Sequence, residues 1–214
     1  MSRALAGEER ATIVDLFTAL GPDHPTLCAG WTNHHLAAHL VVREWKPKAA
    51  LGIVVPKLAH WHDDAVAAAV RDRPYADLVD RIRRGAPFWW KPGEGFTNLT
   101  EYFVHIEDVR RGAGDNTPRP KAEVGPVEAV IWKMLGRGGK LAARKVNGIG
   151  VDLVNDRGDV IAAKAAPAGG EVVQIVGRPG EIQLYLYGRK GAANVALQGP
   201  SAAVDVLEAA ALGI

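Results

Sequence analysis

The chain changes texture once, across Gly112 to Lys121, where glycine, proline and asparagine crowd into "GAGDNTPRPK". Before that point apolar residues recur every three or four positions, the spacing of helices with one buried face. After it come short runs of branched residues bounded by turn formers, the pattern of strands. A chain of 214 residues is long enough for each part to bury a core of its own. The expectation is two domains, 1–115 helical and 122–214 a small α+β domain built on an antiparallel sheet, an α+β protein overall. The same divide separates the chemistry. All seven histidines lie in the first part, as do Trp31, Trp45, Trp61, Trp89 and Trp90, which leaves only Trp132 for the second.

Four helices are expected in the first part, enough for a four-helix bundle. Residues 7–20 place Ile13, Leu16, Phe17 and Leu20 on one face and stop at Gly21-Pro22. A second helix starts behind Thr32, a good N-cap, and runs to Trp45 with Leu36, Ala37, Leu40 and Val41 inward. A third covers 59–70 and continues or restarts past Pro74 to Gly85; after the aromatic loop "APFWWKPGEGF", Thr97 opens a fourth that ends at Gly112. In the second part a helix over 126–146 precedes the strands "IGVDLVND", "DVIAAKAA" and "EVVQIVG", with a hairpin turn at Asp156–Asp159. "RPGEIQLYLYGRKG" suits a helix or a strand, "AANVALQG" reads as a strand, and "PSAAVDVLEAAAL" closes as a helix with Pro200 near its start.

The 26 basic and 24 acidic residues are spread along the chain, without the clustered Lys/Arg patch that nucleic acid requires. The longest apolar runs are too short to cross a bilayer, and the N-terminus lacks a signal-like apolar core. Cys28 is the single cysteine, so no intrachain disulfide can form. A cytoplasmic protein without nucleic-acid or membrane partners is expected.

The fourth helix carries Glu101, His105, Glu107 and Asp108 among Tyr102, Phe103, Val104 and Ile106. Buried polar groups without partners are costly, so such residues face solvent, pair with each other, or hold something. Glu101 and His105 are one turn apart on one face, close enough for one ion to bridge, with Asp108 a further turn along. His39 sits at the matching edge of the Leu36/Leu40 stripe on the second helix. Two neutral imidazoles and a carboxylate form a ligand set for Zn²⁺ that leaves a position open, although nickel, iron or manganese also fit those donors. Asp108 suits a supporting role, accepting the free N–H of a ligating histidine. Glu and His at this spacing also occur as an ordinary side-chain pair, and periodicity alone does not decide between the two.

"LCAGWTNHHLAAHLVVRE" (Leu27–Glu44) followed by "EYFVHIEDVRR" (Glu101–Arg111) resembles the DinB-like metal-binding family, in the branch that contains mycothiol-dependent maleylpyruvate isomerase. The resemblance extends to a sterol-carrier-like second domain, whose end is similar to the segment from Val172 to Ala210. It implies a bundle holding a divalent metal through His39, Glu101 and His105. It also implies mycothiol or a related low-molecular-weight thiol as cosubstrate, brought to the metal to attack a small electrophilic substrate in an isomerase or S-transferase reaction. A coordinated thiol is deprotonated at neutral pH, which gives that chemistry its nucleophile. A metal-dependent hydrolase and a non-catalytic metal- or ligand-binding protein are the alternatives.

Arg189 in "YLYGRKG" is the candidate catalytic cation for a carboxylate substrate; as a plain reading it is a solvated loop arginine. Trp89 and Trp90 either line the cleft or anchor their loop. Cys28 is read as a small buried residue. His34 and His35 are read as surface residues, and His60 and His62 as residues that could approach the site without counting among its ligands. Relatives place an acidic residue three positions after the capping Thr; His35 stands there, so a reciprocal capping box is not expected.

Overall fold

A computed structural model describes residues 2–88 and 95–213. It divides into two compact units, Met1–Asp115 and Asn116–Ile214. In the first unit the described residues form α1 (Ser2–Leu20), α2 (Asn33–Trp45), α3 (Pro47–Val54), α4 (Ala59–Asp72), α5 (Tyr75–Arg84) and α6 (Thr97–Arg111). Its core gathers Ile13, Val14 and Phe17 of α1, Leu36 and Leu40 of α2, Leu78 and Ile82 of α5, and Tyr102, Ile106 and Val109 of α6. These positions recur every three or four residues, so one stripe of each helix is removed from water.

Four helices prove too few. Lys46 ends α2 and also precedes α3, which starts on Pro47. A proline has no N–H to lose in a first turn, so the residue that stops one helix begins the next. The third helical region restarts rather than continues, because Arg73 takes an extended conformation before Pro74, as the residue preceding a proline tends to. Tyr75, opening α5, donates its hydroxyl to the Phe17 carbonyl at 2.9 Å and ties α5 to α1.

Two glycines allow close approaches that place the polar residues. A Cβ on Gly52 of α3 would stand 2.5 Å from the Leu58 carbonyl oxygen and 3.0 Å from the His62 Cβ, so only glycine lets α4 lie this close. A Cβ on Gly112 would come within 2.1 Å of the Pro25 carbonyl oxygen, where the loop between α1 and α2 crosses the end of α6. That loop satisfies the helix end: the Leu27 N–H donates to the Asp108 carbonyl at 3.0 Å, and His24 Nε2 lies 3.1 Å from the Val109 carbonyl oxygen.

The start of α2 corrects one expectation. The Thr32 N–H donates to His35 Nδ1 at 3.3 Å, so an imidazole fills the reciprocal place of the capping box that an acidic residue would take. The next two N–H groups are also satisfied: Asn33 donates to the His24 carbonyl and His34 to the Pro22 carbonyl.

The second unit contains α7 (Lys121–Ala142), β1 (Gly150–Val154), β2 (Val160–Lys164), β3 (Val172–Gly177), α8 (Pro179–Leu186), β4 (Val195–Gln198) and α9 (Ser201–Ala209). The sheet order is β2-β1-β3-β4. It is mixed, not antiparallel as expected: β1–β2 and β3–β4 are antiparallel, but β1 and β3 run parallel, with Val151 opposite Val173 and Leu153 opposite Ile175. After the hairpin at Asn155–Asp159 the chain returns to the free edge of β1 rather than to that of β2. Strand composition does not encode this choice of edge. β1 thus becomes an inner strand, and Val151 and Leu153 are fully buried. The ambiguous segment "RPGEIQLYLYGRKG" is helical: Arg178 is extended, Pro179 starts α8, and every residue from Pro179 to Leu186 is buried. Uniform burial removes the alternation that tells a helix from a strand.

Candidate metal centre

α2 and α6 bring His39, Glu101 and His105 together. One donor atom from each lies within 4.8 Å of the other two. His105 Nε2 is 3.6 Å from Glu101 Oε2, and the His39 and His105 rings meet edge-on with centroids 5.0 Å apart. Both histidines are buried, while Glu101 keeps about a quarter of its side chain exposed. His39 Nε2 is buried without a hydrogen-bond partner among the described residues. A buried ring nitrogen left empty beside a carboxylate and a second imidazole fits a divalent cation, which binds nitrogen and oxygen donors at about 2.0–2.2 Å.

Each donor is held from behind. His105 Nδ1 is 2.9 Å from Asp108 Oδ2, a fully buried carboxylate oxygen that also accepts from Cys28 Sγ at 3.3 Å. Cys28, His105 and Asp108 thereby make a second close set of donors sharing His105. Arg43, one turn beyond His39, lies with its Nε 3.3 Å from Glu101 Oε2 and donates Nη1 to Asn98 Oδ1 at 2.7 Å. Asn98 donates to Glu44 Oε1 at 3.0 Å; the same oxygen takes the Tyr102 hydroxyl at 2.7 Å and Arg10 Nη2 at 3.1 Å. A polar network therefore runs from Glu101 through the bundle core with its charges paired, which is how buried ionic groups are tolerated.

Protonation follows from this setting. Burial favours the neutral carboxyl of Glu101, but Arg43, together with His105 and His39, overcomes it and holds the pKa at about 2. Burial and the neighbouring His105 push His39 well below its ordinary value. Burial acts in the same sense on His105, yet Asp108, with Cys28 and Glu101, raises it well above. These shifts favour an ionised Glu101, a neutral His39 and a protonated His105 between two carboxylates.

Of the two histidines that could approach the site, the structure places His62 against the centre. It is buried, and its Nε2 lies 2.8 Å from His39 Nδ1. Trp31 covers the pair, with its ring centroid 5.6 Å from His39 and 6.4 Å from His62. A signal was present: His62, Val66 and Ala69 share the buried face of α4. His60 is exposed. His34 and His35 are half-buried rather than on the surface, against Tyr75 and Trp31 respectively. Arg189 follows α8 in the second unit and donates Nη1 to the Tyr187 carbonyl at 2.7 Å. Trp89 and Trp90 lie outside the described residues.

The fold and centre thus define a class: an α+β protein with a His/Glu/His cluster in a helical unit and a mixed four-stranded sheet beyond it. Neither a protein-family model nor a curated protein matches the chain. Solved structures do. The crystal structure of the mycothiol-dependent maleylpyruvate isomerase superimposes with a TM-score of 0.56 at 18% identity, over 92% of this chain and 91% of that one. A point mutant of that isomerase gives 0.60 at 15% identity over the same shares. Likeness at these identities shows the fold, which is the one the sequence resemblance implied. Among the described residues no helix is long and apolar enough to cross a membrane.

Proposed function

We propose that this chain is a metal-dependent enzyme that uses a low-molecular-weight thiol, mycothiol or a close analogue, in an isomerase or S-transferase reaction on a small electrophilic substrate. The observation that carries this reading is the buried Nε2 of His39, unpartnered among the described residues, beside Glu101 and His105, within a fold shared along 92% of the chain with a mycothiol-dependent isomerase. His39, Glu101 and His105 would hold a divalent ion, zinc by its donor set. A thiol coordinated at these residues would be deprotonated at neutral pH, which is the chemistry such an ion would supply.

The remaining roles fall to the chain's own groups. Asp108 accepts a hydrogen bond from His105 Nδ1–H and fixes which ring nitrogen faces the centre. Arg43 keeps Glu101 ionised. Arg189 is proposed to neutralise a substrate carboxylate. The partners of this reading are small molecules only, the thiol and its electrophile.

The test is metal analysis of the purified chain followed by cobalt substitution and thiol titration. The reading expects stoichiometric metal and an intense sulfur-to-cobalt charge-transfer band on adding mycothiol. An unchanged spectrum with mycothiol and simpler thiols overturns the thiol chemistry; absence of metal binding, with His39→Ala indistinguishable from the parent, overturns the metal centre.

A further inference from the structure

His39 can offer Nε2 to a cation only if its single ring proton sits on Nδ1. The surroundings of His39 dictate where that proton goes. The chain of contacts begins at Asp63, whose carboxylate can only accept, and whose Oδ1 lies 3.1 Å from His62 Nδ1. A proton on His62 Nδ1 points at Asp63, and the Nε2 of that tautomer bears a lone pair. That lone pair faces His39 Nδ1 at 2.8 Å, and a hydrogen bond there requires the proton on His39 Nδ1. His39 Nε2 is then an unprotonated donor, and it is buried with no hydrogen-bond partner among the described residues.

From this parity we infer that His62 is a positioning residue for the metal centre: its Nε2 accepts a hydrogen bond from His39 Nδ1–H and so fixes the tautomer and ring orientation that present His39 Nε2 to the ion. The inference rests on the reading of His39, Glu101 and His105 as a cation site. It gives the two ligating histidines different supports. His105 leans on the carboxylate of Asp108 directly, whereas His39 leans on an imidazole that is itself oriented by a carboxylate. Outer partners of this kind set ring orientation and ligand strength, and losing one weakens metal affinity about 10–100-fold. The placement of His62 depends on Gly52, whose missing Cβ leaves room for the His62 Cβ, and on Trp31, which lies nearly parallel to the His62 ring.

The experiment compares the full-length parent with His62→Ala and His62→Gln. The ring-nitrogen NMR shifts of His39 are read in the metal-free protein, and Zn²⁺ affinity by competition with a chromophoric chelator. The expected parent signal is the Nδ1–H tautomer. His62→Ala should give a mixture of tautomers and about 10–100-fold weaker zinc binding. Gln presents an amide oxygen in place of the lone pair, so it should restore the tautomer and most of the affinity. A parent His39 protonated on Nε2 overturns the inference even if a variant fails to fold, and so does His62→Ala with unchanged tautomer and affinity. A cobalt-loaded parent whose shifted ring signals include His62 as a direct ligand also overturns it. A parent that shows the Nδ1–H tautomer but binds no zinc, cobalt or manganese leaves the positioning bond intact and removes the metal reading instead.

Discussion

At the scale of single residues, the centre is governed by which groups carry protons. His105 holds its proton because Asp108 and Glu101 flank it, so a metal must displace that proton to reach Nε2. Zinc affinity should therefore rise with pH through the neutral range, with about one proton released per ion; calorimetry in two buffers of different ionisation enthalpy measures both. Asp108→Asn removes the carboxylate that orients His105 and should weaken zinc binding about 10–100-fold. Glu101 has its folded pKa depressed to about 2 from an ordinary 4.5. Its stabilising contribution is thus complete above about pH 4.5 and is lost as the pH falls toward 2. Glu101→Gln should flatten the acid limb of a pH-stability curve in that window and leave the neutral region to other groups. Tyr102→Phe deletes the hydroxyl that donates to Glu44 and accepts from Arg10 Nε at 3.0 Å, leaving buried charges short of a partner. A loss of about 1–3 kcal/mol is expected from the urea midpoint, since the acceptor is ionised.

At the scale of elements, the site depends on two close approaches. α4 lies against α3 through Gly52, and the loop between α1 and α2 lies against the end of α6 through Gly112. The first brings His62 to His39; the second brings Cys28 to Asp108. Gly112→Ala forces a Cβ into the Pro25 carbonyl, which is backbone and yields little. The expected result is a destabilisation of about 1–3 kcal/mol, typical of overpacking, together with loss of the Cys28–Asp108 contact. Denaturant unfolding checks the first and the rate of Cys28 alkylation the second, which should increase.

At the scale of the whole molecule, each of the two units has its own buried set. Ile13, Leu36, Leu78 and Ile106 lie in the first, and Ile131, Leu153, Ile175 and Leu184 in the second. The proposed ligands belong to the first alone. Zinc at 100 times its dissociation constant should stabilise that unit by about 2.7 kcal/mol. Differential scanning calorimetry should show the transition of the helical unit moving up with zinc while that of the sheet-bearing unit stays, and His39→Ala should abolish the shift.

Local information in the sequence determined the helices of the first unit at Ile13–Phe17, Leu36–Leu40 and Leu99–Val109, because burial of one face imposes a 3.6-residue period. It likewise determined the strands around Val151, Ile161 and Val173, and the one-turn pairing of Glu101 with His105. It did not contain α3, whose start on Pro47 resembles an ending, or the helical state of α8, where burial on all sides erased the period. Two decisions belonged to tertiary structure alone. One was the edge of β1 that β3 joins, which made the sheet mixed. The other was the meeting of His62 with His39 across 23 residues of chain. Periodicity records only which side of an element avoids water. Which partner covers that side depends on how the elements pack, and hydrogen-bond parity between buried rings arises only once they touch.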